Sequence, residues 1–141
     1  MRTRASQQRP MILVVDDEAS IFEVISQILA SDGLHTVWAK SADQAVAVAR
    51  KTLPDVIVLD LKLGDHNGLE ILGELKVVCK DSPVIILTGF GSRETAREAM
   101  ESGVFEYLTK PFDVQELRSA VRNALEMASV LPGKTEGNCA R

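Results

Sequence analysis

Unbroken apolar runs alternate along the chain with segments of helical periodicity. The apolar runs are residues 11–15, 56–59 and 84–87, and a further strand is predicted at residues 104–108. A continuous apolar run, unlike an alternating one, predicts a strand that is covered on both faces, as in a parallel sheet with helices on each side. The pattern therefore predicts an α/β protein.

Five segments carry apolar residues at helical spacing. Clear stripes occur at residues 21–29, 42–49 and 114–128, and weaker ones at residues 69–79 and 92–102. The segment 92–102 is expected to pack least, because its apolar face consists only of Ala96, Ala99 and Met100. Strands that alternate with helices predict right-handed crossovers and a three-layer, doubly wound sheet over residues 11–129.

Length and composition limit the chain to about one domain, since it has 141 residues, 45% of them hydrophobic. Its aromatic content of 4% and formal net charge of −4 argue against a nucleic-acid surface, which requires stacking rings and clustered cations. No apolar run approaches the roughly 20 residues of a membrane span. Cys79 and Cys139 form neither a disulfide framework nor a metal motif. We expect a cytoplasmic domain with a flexible arm over residues 1–10 and a flexible tail over residues 130–141.

Polar residues follow four of the predicted strands. Asp16 and Asp17 come after the strand at residues 11–15, Asp60 after the strand at 56–59, Thr88 after the strand at 84–87 and Lys110 after the strand at 104–108. Ligands of doubly wound sheets bind beyond the carboxyl ends of the strands, so we expect these side chains to share one site. Each also has an ordinary explanation: Asp17 and Thr88 as helix caps, Asp60 as a turn residue, Lys110 as a surface lysine. Their common edge favours the functional interpretation.

Three neighbouring carboxylates predict a bound cation. At about 4 Å and an effective dielectric near 20, each pair would repel by up to about 4 kcal/mol. Oxygen ligands without His or Cys favour Mg²⁺ over Zn²⁺, and His35 and His66 lie on different predicted elements. With a cation present, Asp60 is a candidate nucleophile toward phosphorus, while Lys110 and Thr88 are candidates to contact the transferring oxygens.

Four motifs resemble, in order and spacing, those of receiver domains from two-component response regulators. They are Val14-Val15-Asp16-Asp17-Glu18, Val58-Leu59-Asp60, Leu87-Thr88-Gly89 and Tyr107-Leu108-Thr109-Lys110-Pro111-Phe112. The resemblance covers residues 11–129 and implies a flavodoxin-like fold of five parallel strands in the order 2-1-3-4-5 with five helices. It also implies that a sensor histidine kinase or phosphotransfer protein phosphorylates Asp60. Mg²⁺ would be held by Asp16, Asp17, Asp60 and the backbone carbonyl of Lys62.

The same resemblance assigns catalytic roles to Asp60, Thr88 and Lys110, and a conformational switch to Thr88 and Tyr107. The switch would change the surface of the fourth helix, fifth strand and fifth helix, which is also a candidate homodimer surface. A receiver accepts and loses its own phosphoryl group, so it is not a multiple-turnover enzyme. The resemblance further implies a cis peptide bond between Lys110 and Pro111.

One position departs from the family pattern. Gly64 stands where the family usually has proline, so the loop after Asp60 is expected to be more mobile. Lys62 and Phe90 occupy positions that in the family tune the loss of the phosphoryl group, and each could equally be an ordinary exposed residue.

Four other functions are open at this point. The chain could be the receiver portion of a larger transcriptional regulator. An aspartate-nucleophile phosphatase of the haloacid dehalogenase type is disfavoured, because Lys62 stands where that family needs a second acid. A flavin-binding module is disfavoured, because Thr88-Gly89-Phe90-Gly91 is a poor phosphate cradle. A receiver-like interaction domain that is never phosphorylated is disfavoured by the complete set of site residues.

Overall fold

The computed structural model describes residues 9–64, 66–89 and 91–129, apart from the side chains of His66 and Ser129. The strands are β1 (Met11–Val15), β2 (His35–Ala39), β3 (Val56–Leu59), β4 (Val84–Thr88) and β5 (Glu106–Thr109). The helices are α1 (Ala19–Ser31), α2 (Ala42–Thr52), α3 (Gly68–Val78), α4 (Arg93–Glu101) and α5 (Val114–Ser129). The strands form one parallel sheet in the order β2-β1-β3-β4-β5. This confirms the predicted flavodoxin-like strand order.

Two hydrophobic clusters cover the two faces of the sheet. Successive side chains of a strand point to opposite faces. Leu13 and Ile57 accordingly pack with α2, α3 and Ala99 of α4, whereas Val14 and Val58 pack with α1 and α5. The helices therefore form a layer on each side of the sheet, as the unbroken apolar runs predict.

Helix α4 is the least buried helix, as its short apolar face predicts. Ala99 is its single buried residue, and Met100 is 50% exposed, so the prediction that Met100 belongs to the core face is wrong. Val24 of α1 and Val114 of α5 are also largely exposed. All three lie at the margin of a helical stripe, where periodicity alone does not separate core from surface.

Strand β5 begins two residues later than predicted. Val104 is buried, but its N–H donates to the Ala99 carbonyl at 3.3 Å, in the turn that ends α4. The Phe105 N–H donates to the Val84 carbonyl at 2.7 Å, and ladder pairing starts at Glu106. The apolar residues at 104 and 105 thus precede the paired part of the strand.

The remaining differences from the predicted elements are small. β4 extends by one residue to include Thr88, and α3 begins and ends one residue earlier than predicted. Two short antiparallel segments, Lys62–Leu63 and His66–Asn67, were not predicted from the pattern. The tail 130–141, Cys139 and the arm up to residue 8 lie outside the described residues. Of the helices in the described ranges, none is long and apolar enough to cross a membrane.

Candidate acidic site

The carboxyl ends of β1 and β3 bring three acidic residues together. Val15 pairs with Leu59, and the Asp60 N–H donates to the Val15 carbonyl at 2.9 Å. One carboxylate oxygen from each of Asp16, Asp17 and Asp60 lies within 4.8 Å of the others. Asp16 and Asp60 are buried, whereas Asp17 is exposed. We call these three residues the acidic pocket.

Lys110 extends into the acidic pocket from the end of β5. Its Nζ lies 2.7 Å from Asp16 Oδ2, 3.0 Å from Asp60 Oδ2 and 3.8 Å from Glu18 Oε1. Its side chain is 15% exposed, so the interpretation of Lys110 as a surface lysine is wrong. The peptide bond between Lys110 and Pro111 is cis, as the resemblance implies.

Burial and neighbouring charges shift the pKa values of Asp16 and Lys110 in opposite directions. Burial is the largest influence on Asp16 and raises its pKa, although hydrogen bonds from Lys110 and from the Glu18 N–H oppose it. Burial would lower the pKa of Lys110, but the hydrogen bonds and charges of Asp16 and Asp60 together outweigh it and raise that pKa. The two neighbouring carboxylates therefore favour the charged, ammonium form of Lys110.

Backbone donors hold the first two acids. Asp16 Oδ1 accepts a hydrogen bond from the Glu18 N–H at 2.9 Å, and Asp17 Oδ2 accepts one from the Gly64 N–H at 3.3 Å. Gly64 has a φ of 58°, and its N–H is a donor that proline lacks. The N-cap of α1 is Glu18 and no side chain caps that helix, so the interpretation of Asp17 as a cap is wrong. The expected mobility of the Gly64 loop stays a prediction.

Asp60 and Thr88 end adjacent strands of the sheet. Asp60 Oδ1 accepts a hydrogen bond from the Lys62 N–H at 3.1 Å, so its predicted turn interaction exists alongside the contact with Lys110. Thr88 is fully buried. Ser92 Oγ accepts a hydrogen bond from the Thr95 N–H at 3.1 Å, so Ser92, and not Thr88, caps α4.

Tyr107 of β5 points toward the segment between β4 and α4. A Cβ atom added to Gly91 would overlap the Tyr107 hydroxyl and would lie 3.5 Å from Thr88 Cγ2. The hydroxyl oxygen is buried and has no hydrogen-bond partner among the described residues, and burial raises its pKa. Thr88 and Tyr107 therefore both lie next to Gly91. Phe90 is outside the described residues.

No sequence pattern singles out Trp38, yet it contacts the site. Its indole Nε1 donates a hydrogen bond to the Asp16 backbone carbonyl at 2.8 Å. The sequence feature that could have indicated this contact is the position of Trp38 in β2, since this strand is paired with β1 and Trp38 lies opposite Val14. The contact itself depends on the side chain reaching along the strand, which sequence does not show.

Comparison with known proteins identifies the family. The family model described as response regulator receiver domain matches residues 12–122 of this chain. The chain belongs to the response regulator receiver family. It is therefore a receiver domain of two-component signalling, a class that is generally non-enzymatic and works with histidine kinases or phosphotransfer proteins. The match gives no support to the phosphatase or the flavin module.

The most similar receivers include both short and long proteins. This receiver is 35% identical over 118 residues to sporulation initiation phosphotransferase F of Bacillus subtilis, covering 84% of this chain and 95% of that protein. It is 36% identical over 122 residues to the alginate biosynthesis transcriptional regulatory protein AlgB of Pseudomonas aeruginosa, covering 86% of this chain but 27% of AlgB. A solved receiver domain structure from Clostridium thermocellum has a TM-score of 0.80 and 36% identity, covering 86% and 98% of the two chains.

The donor set of the acidic pocket fits the metal that receiver domains use. Its three groups are carboxylates, which are hard oxygen ligands, and they lie within 4.8 Å of one another. No His or Cys contributes to this cluster of described residues, which disfavours zinc. The ammonium of Lys110 also contacts two of the three acids. Because the ligands are carboxylate oxygens, the donor set of the pocket suits Mg²⁺.

Proposed function

We propose that this receiver accepts a phosphoryl group on Asp60 from a sensor histidine kinase or phosphotransfer protein, in a reaction that requires Mg²⁺. The position of Lys110 carries the proposal, since its ammonium joins Asp16 and Asp60 beside Asp17. An exposed surface lysine or a lone helix cap would not account for this arrangement. The pocket combines cation ligands, a carboxylate and a fixed positive charge, which are the groups that phosphoryl transfer needs.

The metal ligands in this proposal are the carboxylates of Asp16, Asp17 and Asp60 and the backbone carbonyl of Lys62. When bound, Mg²⁺ supplies positive charge that offsets the carboxylates and the transferring oxygens. Asp17 is the exposed member of the pocket, which leaves that side open to a partner protein.

Asp60 acts as the nucleophile. A carboxylate oxygen forms a bond to phosphorus while the bond from phosphorus to the donor's histidine nitrogen breaks, and the electron pair of that bond returns to the imidazole. Asp60 is 7% exposed, and the Lys62 N–H and Lys110 hold its two oxygens, so little reorientation is required before attack. The domain acts once on itself and not as a multiple-turnover enzyme.

Lys110 and Thr88 stabilise the transferred group. Lys110 exchanges its contact with Asp60 Oδ2 for a phosphoryl oxygen, and the Thr88 hydroxyl donates to another oxygen. The resulting acyl phosphate carries roughly 1.5 to 2 negative charges, by analogy with phosphorylated hydroxyl residues, in place of the single charge of the Asp60 carboxylate. The new contacts exist only in the phosphorylated state, so they favour one conformation over the other.

Thr88 and Tyr107 form the switch. Their shared neighbour Gly91 supports this pairing, because Thr88 Cγ2 and the Tyr107 hydroxyl both lie next to the Cβ position of Gly91. The surface of α4, β5 and α5 is expected to respond, since α4 has a single buried residue among the described ones. We propose the same surface as the interface of a homodimer. NMR signals of residues 89–112 should change on phosphorylation more than those of α2, and the reverse pattern would contradict the switch.

The AlgB match supports a second candidate, in which this domain is the receiver portion of a longer transcriptional regulator. The chain spans nearly all of sporulation initiation phosphotransferase F but about a quarter of AlgB. In either case the formal net charge of −4 argues against nucleic-acid contact by this segment itself.

Intact-mass measurement after treatment with acetyl phosphate tests the proposed function. We expect one added phosphoryl group in the presence of Mg²⁺ and none after chelation. Asp60→Asn should gain no phosphoryl group. Asp43→Asn, which alters an exposed acid in the first turn of α2, should gain one as the unaltered chain does. Full phosphorylation of Asp60→Asn would refute the assignment of Asp60.

A further inference from the structure

Trp38 connects β2 and α1 to the backbone of the acidic pocket. Its indole N–H donates to the Asp16 carbonyl at 2.8 Å, and its ring stacks on Phe22 of α1, with centroids 5.4 Å apart and planes 10° from parallel. It is the single tryptophan of the chain. The stacked Phe22 ring restricts the orientation of the indole and thereby the direction of its N–H.

The Asp16 carbonyl lies just beyond the paired part of β1. The last pair of the β1–β2 ladder is Val15 with Ala39, after which the Lys40 N–H donates to the side chain of Gln44. The two strands therefore part at the point where the acidic pocket begins. The indole of Trp38 supplies a donor to Asp16 at this point, from within β2.

This hydrogen bond controls the peptide plane that joins the first two acids. The Asp16 carbonyl and the Asp17 nitrogen belong to one planar peptide unit, so a donor that holds the carbonyl also sets the direction in which Asp17 leaves the strand. The Asp16 N–H, which belongs to the preceding peptide unit, donates to the Ala39 carbonyl of the same strand β2 at 3.1 Å. Without the indole donor, the unit between Asp16 and Asp17 can rotate, and the separation of the two carboxylates changes.

We propose that Trp38 is a positioning residue for the acidic pocket, acting through its hydrogen bond to the Asp16 carbonyl. The inference rests on the proposed function, since it assumes that Asp16 and Asp17 bind Mg²⁺. Mutation of a group that orients a metal ligand typically weakens metal binding by roughly 10- to 100-fold. Because Trp38 acts on the backbone and not on a carboxylate, we expect a loss of about tenfold.

Two changes at Trp38 remove the donor. Trp38→Phe keeps an aromatic ring but has no N–H. Replacement of tryptophan by benzothienylalanine in a tryptophan auxotroph keeps the bicyclic shape and removes only the N–H, and it alters no other residue because the chain has one tryptophan. Ser82→Ala is the matched control, since it removes a buried hydrogen bond to the Pro54 carbonyl of 2.6 Å at the opposite edge of the sheet.

Isothermal titration with Mg²⁺ is the main measurement. Both Trp38 changes should weaken Mg²⁺ binding about tenfold, whereas Ser82→Ala should leave it unchanged. In the acetyl phosphate reaction, the Mg²⁺ concentration for half-maximal rate should rise by the same factor, while the rate at saturating Mg²⁺ should not fall. In the unaltered chain, Trp38 fluorescence should change over the Mg²⁺ range seen by calorimetry.

The outcomes separate the two proposals. If the unaltered chain binds Mg²⁺ and both Trp38 changes bind it equally well, the positioning role is wrong and the proposed function stands. If Mg²⁺ binding weakens as expected but the unaltered chain gains no phosphoryl group, the positioning role stands and the proposed function is wrong. If the unaltered chain does not bind Mg²⁺, both are wrong.

Discussion

Gly68→Ala should both destabilise the fold and disturb the acidic pocket. Gly68 begins α3 and is buried against the backbone of Leu61. An alanine Cβ would lie 2.6 Å from the Leu61 oxygen and 2.7 Å from its carbonyl carbon, where ordinary contacts begin at 3.4 Å. Because both are backbone atoms, no side-chain rotation relieves the overlap, and the two segments must separate.

The expected loss follows from two contributions. Inserting a methyl group into a closely packed site costs about 1–3 kcal/mol. Separation also strains the hydrogen bond from the Gly68 N–H to the Leu61 carbonyl, which is 2.8 Å long and contributes about 1 kcal/mol. The free energy of unfolding should therefore fall by about 2–4 kcal/mol. Because Leu61 follows Asp60, Mg²⁺ affinity should fall as well.

Gly73→Ala is the matched control in the same helix. Gly73 lies inside α3, and an added Cβ meets no atom within 4 Å. Alanine is the better helix former, so this change should stabilise the fold by up to about 1 kcal/mol. Urea unfolding at neutral pH and Mg²⁺ titration compare the two variants with the unaltered chain. A Gly68→Ala variant as stable as the unaltered chain would refute the reasoning.

Two further predictions concern Tyr107 and Asp32. Tyr107→Phe removes a buried hydroxyl that has no partner among the described residues, so the free energy of unfolding should rise by about 1 kcal/mol; a loss of that size in urea unfolding would show that the hydroxyl is satisfied. Hydrogen bonds from Arg118, at 2.9 and 2.7 Å, lower the pKa of Asp32 below its ordinary value of 3.8. The paired carboxylate therefore stabilises the fold above that value, and the stabilisation is lost as pH falls through the lowered pKa. Asp32→Asn should reduce the free energy of unfolding at pH near 7, and this reduction should shrink as the pH falls below the ordinary value of 3.8. A reduction that stays the same as the pH falls would contradict the assignment.

The apolar pattern predicted most elements because burial on both faces of a parallel strand leaves no alternation in the sequence. β1 and β3 have the predicted bounds, since each run is apolar throughout. β5 does not, because Val104 is buried in a turn and not in the ladder. The pair of Lys62–Leu63 and His66–Asn67 was missed because strands of two residues are too short to show periodicity.

The grouping of Asp16, Asp17, Asp60 and Lys110 followed from sequence because the ends of neighbouring parallel strands share one edge. Their individual contacts did not follow from it. Lys110 contacts Asp16 across 94 residues of sequence, and Trp38 contacts the same residue across 22. Both contacts depend on how far a side chain reaches from its strand once the sheet has formed.

Sequence alone therefore determined the α/β class, the strand order implied by the motifs, and which acids lie together. Tertiary structure alone decided that Lys110 joins two of those acids, that an indole holds the Asp16 carbonyl, and that Gly68 must lack a side chain. The physical reason is the separation along the chain of the residues that interact. Strand and helix patterns reflect each residue's own burial, whereas these contacts require the register, spacing and packing of segments that are distant along the chain.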